Sequence, residues 1–110
     1  MATGFDLVFF ENSDDTIFVE QLRNQKTNAL VTGATVEAIL FDNLGSPVTG
    51  APNPITFTED PSITATYTGD VPDTASLTDG DEGTVEITAD AGAGLHREWT
   101  LTYVVRAGVR

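Results

Sequence analysis

The chain has no cysteine, one histidine, one tryptophan and only five basic residues, and each shortage removes a class of function. Without cysteine there is no disulfide framework and no thiolate metal site. A single histidine excludes a multi-histidine metal centre. Five Lys and Arg against 17 Asp and Glu leave a formal net charge of −12. Nucleic acid is bound mainly by Lys and Arg that displace counterions from phosphates, so it is not an expected partner. An anionic membrane surface is disfavoured for the same reason. No apolar stretch approaches membrane-spanning length. The opening Met-Ala-Thr-Gly-Phe-Asp lacks the basic region and apolar run of a signal peptide. The expectation is a soluble protein made in a cytoplasm.

What is present points to strands. Thr, Val and Ile supply 17, 10 and 5 residues, types that suit a pleated and half-buried surface. Ten Gly and five Pro interrupt the chain at short intervals. Residues 1–110 fit one domain, with no internal repeat, and many short strands with such turns indicate a sandwich or barrel. Seven or eight strands are expected. The central stretch is Val31 to Gly50, where Ala34 to Phe41 alternates Val36, Ala38 and Leu40 against Glu37, Ile39 and Phe41. Asp42 to Pro47 then supplies turn chemistry, with Gly45 free to take positive φ and Pro47 unable to donate to a ladder. The pattern predicts a β-hairpin whose return strand starts at or after Val48.

The remaining segments read as follows. Phe5 to Phe10 is a first strand, apolar on both faces. Thr16 to Leu22 is a second, with a short helix capped by Asp14 or Asp15 as the only helical candidate. Ile55 to Thr58 is a short strand closed by Glu59-Asp60-Pro61. Ser62 to Thr68 alternates Ile63, Ala65 and Tyr67 against three Thr, and Gly69 to Asp73 is a loop. Thr84 to Ala89 points Val85, Ile87 and Ala89 inward. Leu95 to Val105 is the longest alternation, and its Trp99 is expected to anchor the core.

Few residues offer chemistry. Asp79, Asp81 and Glu82 resemble a fragment of a calcium loop, but the ordered ligand spacing of an EF-hand is missing, and a solvated acidic turn explains the same residues. His96 lies on a strand beside Glu98, and no Gly-x-Ser-x-Gly elbow exists to build a triad around it. No catalytic residue, metal or cofactor is assigned. Apolar surplus is the more informative feature. Val8 and Phe10 face away from Leu7 and Phe9, and Ile39 and Phe41 face away from Val36 and Leu40. Either curled sheets cover both faces or part of this surface is buried in an assembly. Phe9, Phe10, Ile39 and Phe41 are the expected partner contacts, and residues 1–4 and 107–110 the expected flexible arms.

The run Val31-Thr-Gly-Ala-Thr-Val36, then Asp42-Asn-Leu-Gly-Ser-Pro-Val48, resembles small immunoglobulin-like domains of tailed-bacteriophage virion proteins. So do Tyr67-Thr-Gly-Asp-Val-Pro72, Leu77 with the Asp/Gly turn after it, and Val85-Glu-Ile87. The resemblance spans roughly Thr16 to Val105, with Val85 where a late-strand Tyr is often found. It implies an antiparallel immunoglobulin-like β-sandwich and a non-enzymatic virion protein. The role implied first is a capsid decoration or cement subunit whose partner is the major capsid protein. A neck, tail or baseplate-associated protein is the alternative, and self-association is possible in either. Outside the resemblance, a calcium- or carbohydrate-binding β-sandwich module remains open.

Overall fold

The computed structural model describes residues 6–11, 13–24, 26–92 and 95–107. Among these residues there are eight strands and no helix. In chain order they are β1 (Leu7–Phe10), β2 (Asp15–Val19), β3 (Thr35–Asp42) and β4 (Ile55–Thr56), then β5 (Thr58–Glu59), β6 (Tyr67–Val71), β7 (Glu82–Gly92) and β8 (Leu95–Arg106). They form a five-stranded sheet in the order β1-β8-β7-β3-β4 and a three-stranded sheet in the order β2-β6-β5. Every pairing is antiparallel except β1 with β8, which is parallel.

Alternation explains the large sheet. Val85, Ile87 and Ala89 share one face of β7, opposite Leu40, Ala38 and Val36 of β3, and all six are buried. β8 completes that face with Tyr103 and Val105, which are also buried. The small sheet adds Ile17, Val19, Tyr67 and Val71 from its inner face. Together these side chains make one core. Each such aliphatic side chain contributes about 1.5–3 kcal/mol on burial.

Two features tie the sheets together. Between β4, which pairs with β3, and β5, which pairs with β6, the chain changes sheets at Phe57. Phe57 is buried there, and its amide donates to the Val36 carbonyl at 2.9 Å. The second tie is Tyr67, whose ring is buried and whose hydroxyl donates to the Val31 carbonyl and accepts from the Ala34 amide. The same approach to β3 is held by Glu59, which accepts from the Gly33 amide at 2.9 Å.

Several segments depart from the sequence expectation. The central hairpin keeps its turn: Gly45 has φ +83° and the Asp42 carboxylate accepts from the Leu44 and Ser46 amides. Beyond it an isolated bridge joins Phe41 and Pro47, and the return strand is delayed to the two residues of β4, where Ile55 pairs with Ala38. The delay follows because Pro47 lacks a donor and Gly50, at φ +83°, turns the chain away, while the other edge of β3 pairs along its whole length with β7. The strand expected over Ser62 to Thr68 starts at Tyr67 and runs to Val71 through the expected loop. Its first half fails because Asp60 accepts from the Ser62 and Ile63 amides, and Ala65 takes φ +60°. The helix considered after Asp14 is the strand β2.

Candidate interaction surface

The contact residues expected from sequence divide between core and surface. Parallel pairing sets Phe9 opposite Val105 and Leu7 opposite Tyr103, all on the inner face of the sheet. The Phe9 ring meets Tyr103 at a centroid distance of 5.1 Å, and Phe9 is buried. It belongs to the core, not to an exposed contact patch. Phe10 points to the other side and is half-buried, and its amide donates to the Asp15 carboxylate at 3.1 Å. Burial, opposed by that hydrogen bond and aided by the neighbouring Asp14 charge, raises the Asp15 carboxyl above its ordinary value. Ile39 and Phe41 are half-buried on the outer face of β3, opposite Glu86 and Thr84.

The largest exposures lie elsewhere. Val8 is 51% exposed, Phe18 58%, Leu44 86% and Ile63 53%. Alternation signals Phe18, since it faces away from buried Ile17 and Val19, and it signals Val8 in the same way. It does not signal Leu44, which sits in a turn, or Ile63, which the pattern had placed on a buried face.

Trp99 is half-buried at the margin of the core, with the Arg97 guanidinium 5.1 Å from its ring centroid. It does not anchor the centre, because β7 and β8, of 11 and 12 residues, are longer than the strands of the small sheet, which have at most five. Where the small sheet ends at β2, a groove of about 330 Å³ opens, lined by Phe18, Val19, Gln21, Arg23, Arg97 and Trp99 among others.

Two of the three acidic candidates are occupied by the fold. Asp79 accepts from the Ala107 amide at 3.1 Å, while its own amide donates to Glu11. Asp81 accepts from the Thr78 amide at 3.0 Å. Glu82 is exposed at the start of β7. Among the described residues no group of three or more carboxylates or histidines is placed to hold a metal ion. Asp81 and Glu82 do line a recess of about 530 Å³ with Asp42 and Tyr103. The Tyr103 hydroxyl donates to the Phe41 carbonyl at 3.0 Å. Burial, and after it the Asp81 and Asp42 charges, push that hydroxyl up to about 12.

His96 is exposed on β8, with one ring nitrogen 2.8 Å from Glu98 and the other 3.6 Å from Asp90. The Glu98 hydrogen bond, with help from Asp90, raises it above the ordinary histidine value. Of the two expected arms, residues 1–4 and 108–110 lie outside the described residues, and Ala107 is held by Asp79. Comparison with protein-family models, curated proteins and solved structures finds no match.

Proposed function

We propose that this chain is a non-enzymatic structural subunit of a tailed-bacteriophage virion. Its first assignment is a capsid decoration or cement protein that binds and stabilises the major capsid lattice. The sheet composition supports an immunoglobulin-like type. Strands β8, β7, β3 and β4 group as the last, sixth, third and added strands do in that architecture, and β2, β6 and β5 form the opposing sheet. The observation that carries the role is apolar exposure on a strongly acidic sandwich. Val8, Phe18, Leu44 and Ile63 are each at least half exposed, and covering such surface is what a shell-bound subunit gains. A subunit that binds folded capsid and not loose chains stabilises the shell by mass action.

The test is copy number in purified particles, by quantitative mass spectrometry against the major capsid protein. A ratio near one, or a simple fraction of the lattice, is the expected result. A few copies per particle would move the protein to the neck or tail, and absence from particles would sink the virion reading. A carbohydrate-binding module is the second reading, favoured by Phe18 and Trp99 lining one groove. A glycan screen in which no sugar changes Trp99 emission removes it.

A further inference from the structure

Among the described residues the two sheets end on the same side in unequal strands, and one stretch of main chain is left without a strand partner. β1 pairs with β8 only from Tyr103 to Arg106. One residue earlier, the Thr102 amide donates to the Asp6 carboxylate, and the Thr102 carbonyl accepts from the Asp6 amide. Even-numbered residues of β8 therefore turn their N–H and C=O toward the β1 side, while odd-numbered residues bond β7. Continuing down the strand, Glu98 and Thr100 present main-chain groups with no strand partner among the described residues. On the inner face of this open edge lies the groove between β8 and β2, and β2 is itself the edge of its sheet.

We propose that the Glu98–Thr100 edge takes an extended segment of a partner protein as an added strand, with acidic and aliphatic side chains turned into the groove. Main-chain bonding to an open edge supplies attachment, and alternate side chains supply selection. Here the alternation is two-sided. Side chains turned inward meet the Arg97–Trp99 pair, Arg23 and the rim residue Phe18. Arg23 and Arg97 are two of only four arginines in a chain of net charge −12, and Glu20 is the only acid lining the groove. An acid and an aliphatic side chain fit that face. Side chains turned outward meet Glu98 and His96, which are bonded to one another, so an acid there is repelled and an uncharged residue is accepted. A second copy of this chain is the poorer occupant, because two strongly acidic molecules repel.

The inference rests on the reading of the chain as an interaction protein, but not on which assembly it joins. Its test uses purified full-length protein, so a failure here leaves the copy-number result untouched. The probe is a blocked peptide in which Thr alternates with Val and Glu. Trp99 is the only tryptophan, so its emission reports on the groove directly. A saturable emission change is expected, with slowed hydrogen exchange at the Glu98 and Thr100 amides. Arg97→Gln weakens binding by about tenfold or more, as does Thr100→Pro, which removes one edge donor at a position where proline is tolerated. A peptide N-methylated on alternate residues keeps its side chains and loses binding, which tests strand pairing without altering the protein. Four results would overturn the proposal. These are no saturable change at millimolar peptide, equal binding of the N-methylated or Lys-for-Glu peptide, slow exchange of both amides before peptide is added, and Trp99 emission that depends on protein concentration alone.

Discussion

The Tyr67 hydroxyl on the small sheet is bonded to the Val31 carbonyl, 36 residues earlier on the approach to the large one, at 2.9 Å. The same oxygen accepts from the Ala34 amide at 3.1 Å. In a chain without cysteine this bridge, together with the change of sheets at Phe57, does part of what a cross-link between sheets would do. Tyr67→Phe keeps the ring and deletes the bridge, leaving a buried carbonyl without its donor. A loss of about 1–3 kcal/mol is expected in urea unfolding. An unchanged midpoint would show that water replaces the hydroxyl at no cost.

Two glycines separate close approach from backbone conformation. A Cβ on Gly83 would lie 2.1 Å from the Phe41 carbonyl oxygen and 2.6 Å from the Tyr103 hydroxyl. A Cβ on Gly45 would meet nothing within 4 Å, and the strain there comes only from φ +83°. Gly83→Ala is expected to cost about 2–3 kcal/mol by overpacking, and Gly45→Ala about 1 kcal/mol. Equal midpoints for the two variants would contradict this division.

The Tyr103 hydroxyl titrates at about 12 in the fold, against about 10 in an unfolded chain. A raised folded value means that the native state keeps its proton longer. The stability it contributes is complete below pH 10 and is lost as pH rises toward 12. Tyr67 shifts in the same direction, through burial first, then in part through the Glu59 charge. Alkaline unfolding followed by circular dichroism should therefore begin above pH 10. Tyr103→Phe should flatten that limb, and an unchanged alkaline profile would exclude Tyr103 as its source.

Asp15 is also raised, which for a carboxyl means that ionisation is opposed by the fold. Its contribution falls as pH rises from the ordinary carboxyl value through the folded one. Asp15→Asn keeps an acceptor for the Phe10 amide and removes the charge beside Asp14. The variant is expected to match or exceed the parent melting temperature at pH 7, and the gain should vanish in acid. A clear loss at pH 7 would show that the carboxylate is needed as an anion.

Binding and folding should come apart along β1. Phe9→Ala empties a core position and is expected to cost about 3–5 kcal/mol. Phe10→Ala and Phe41→Ala, or a charge at either position, should leave the melting temperature within about 1 kcal/mol equivalent of the parent, since both residues are only half-buried. Both should reduce retention on particles in a sedimentation assay. If particle binding survives both substitutions, the outer faces of β1 and β3 are not the contact.

The longest elements were the most legible in sequence. Val85, Ile87 and Ala89 needed only the two-residue period to be placed, and so did Tyr103 and Val105. The period also separated Phe9 from Phe10 without saying which of the two faced the core. That depends on β1 joining β8 in parallel, almost a chain length away. The partners of β3 were half legible: turn chemistry at Asp42 to Pro47 pointed to an antiparallel return strand, which comes late and short as β4, whereas the partner on the other edge, β7, lies far along the chain. Ser62 to Thr68 alternates well enough for a strand, but the Asp60 carboxylate captures its first amides. The groove at Trp99 depends on strand lengths in two sheets, a quantity that no local pattern carries.

The parallel registry of β1 with β8 sets how the molecule carries load. The chain enters β1 at one end of the pair and leaves β8 at the other, so tension applied between its two ends pulls the strands lengthwise past each other. The rungs from Leu7↔Tyr103 to Phe10↔Arg106 must then yield together and not one at a time, as they would in a peeled hairpin. In single-molecule pulling, force applied between the ends should meet a sharp rupture peak, and Phe9→Pro, which breaks the middle of the pair, should abolish it. A domain built this way resists stretching along its length far better than one whose terminal strands peel apart.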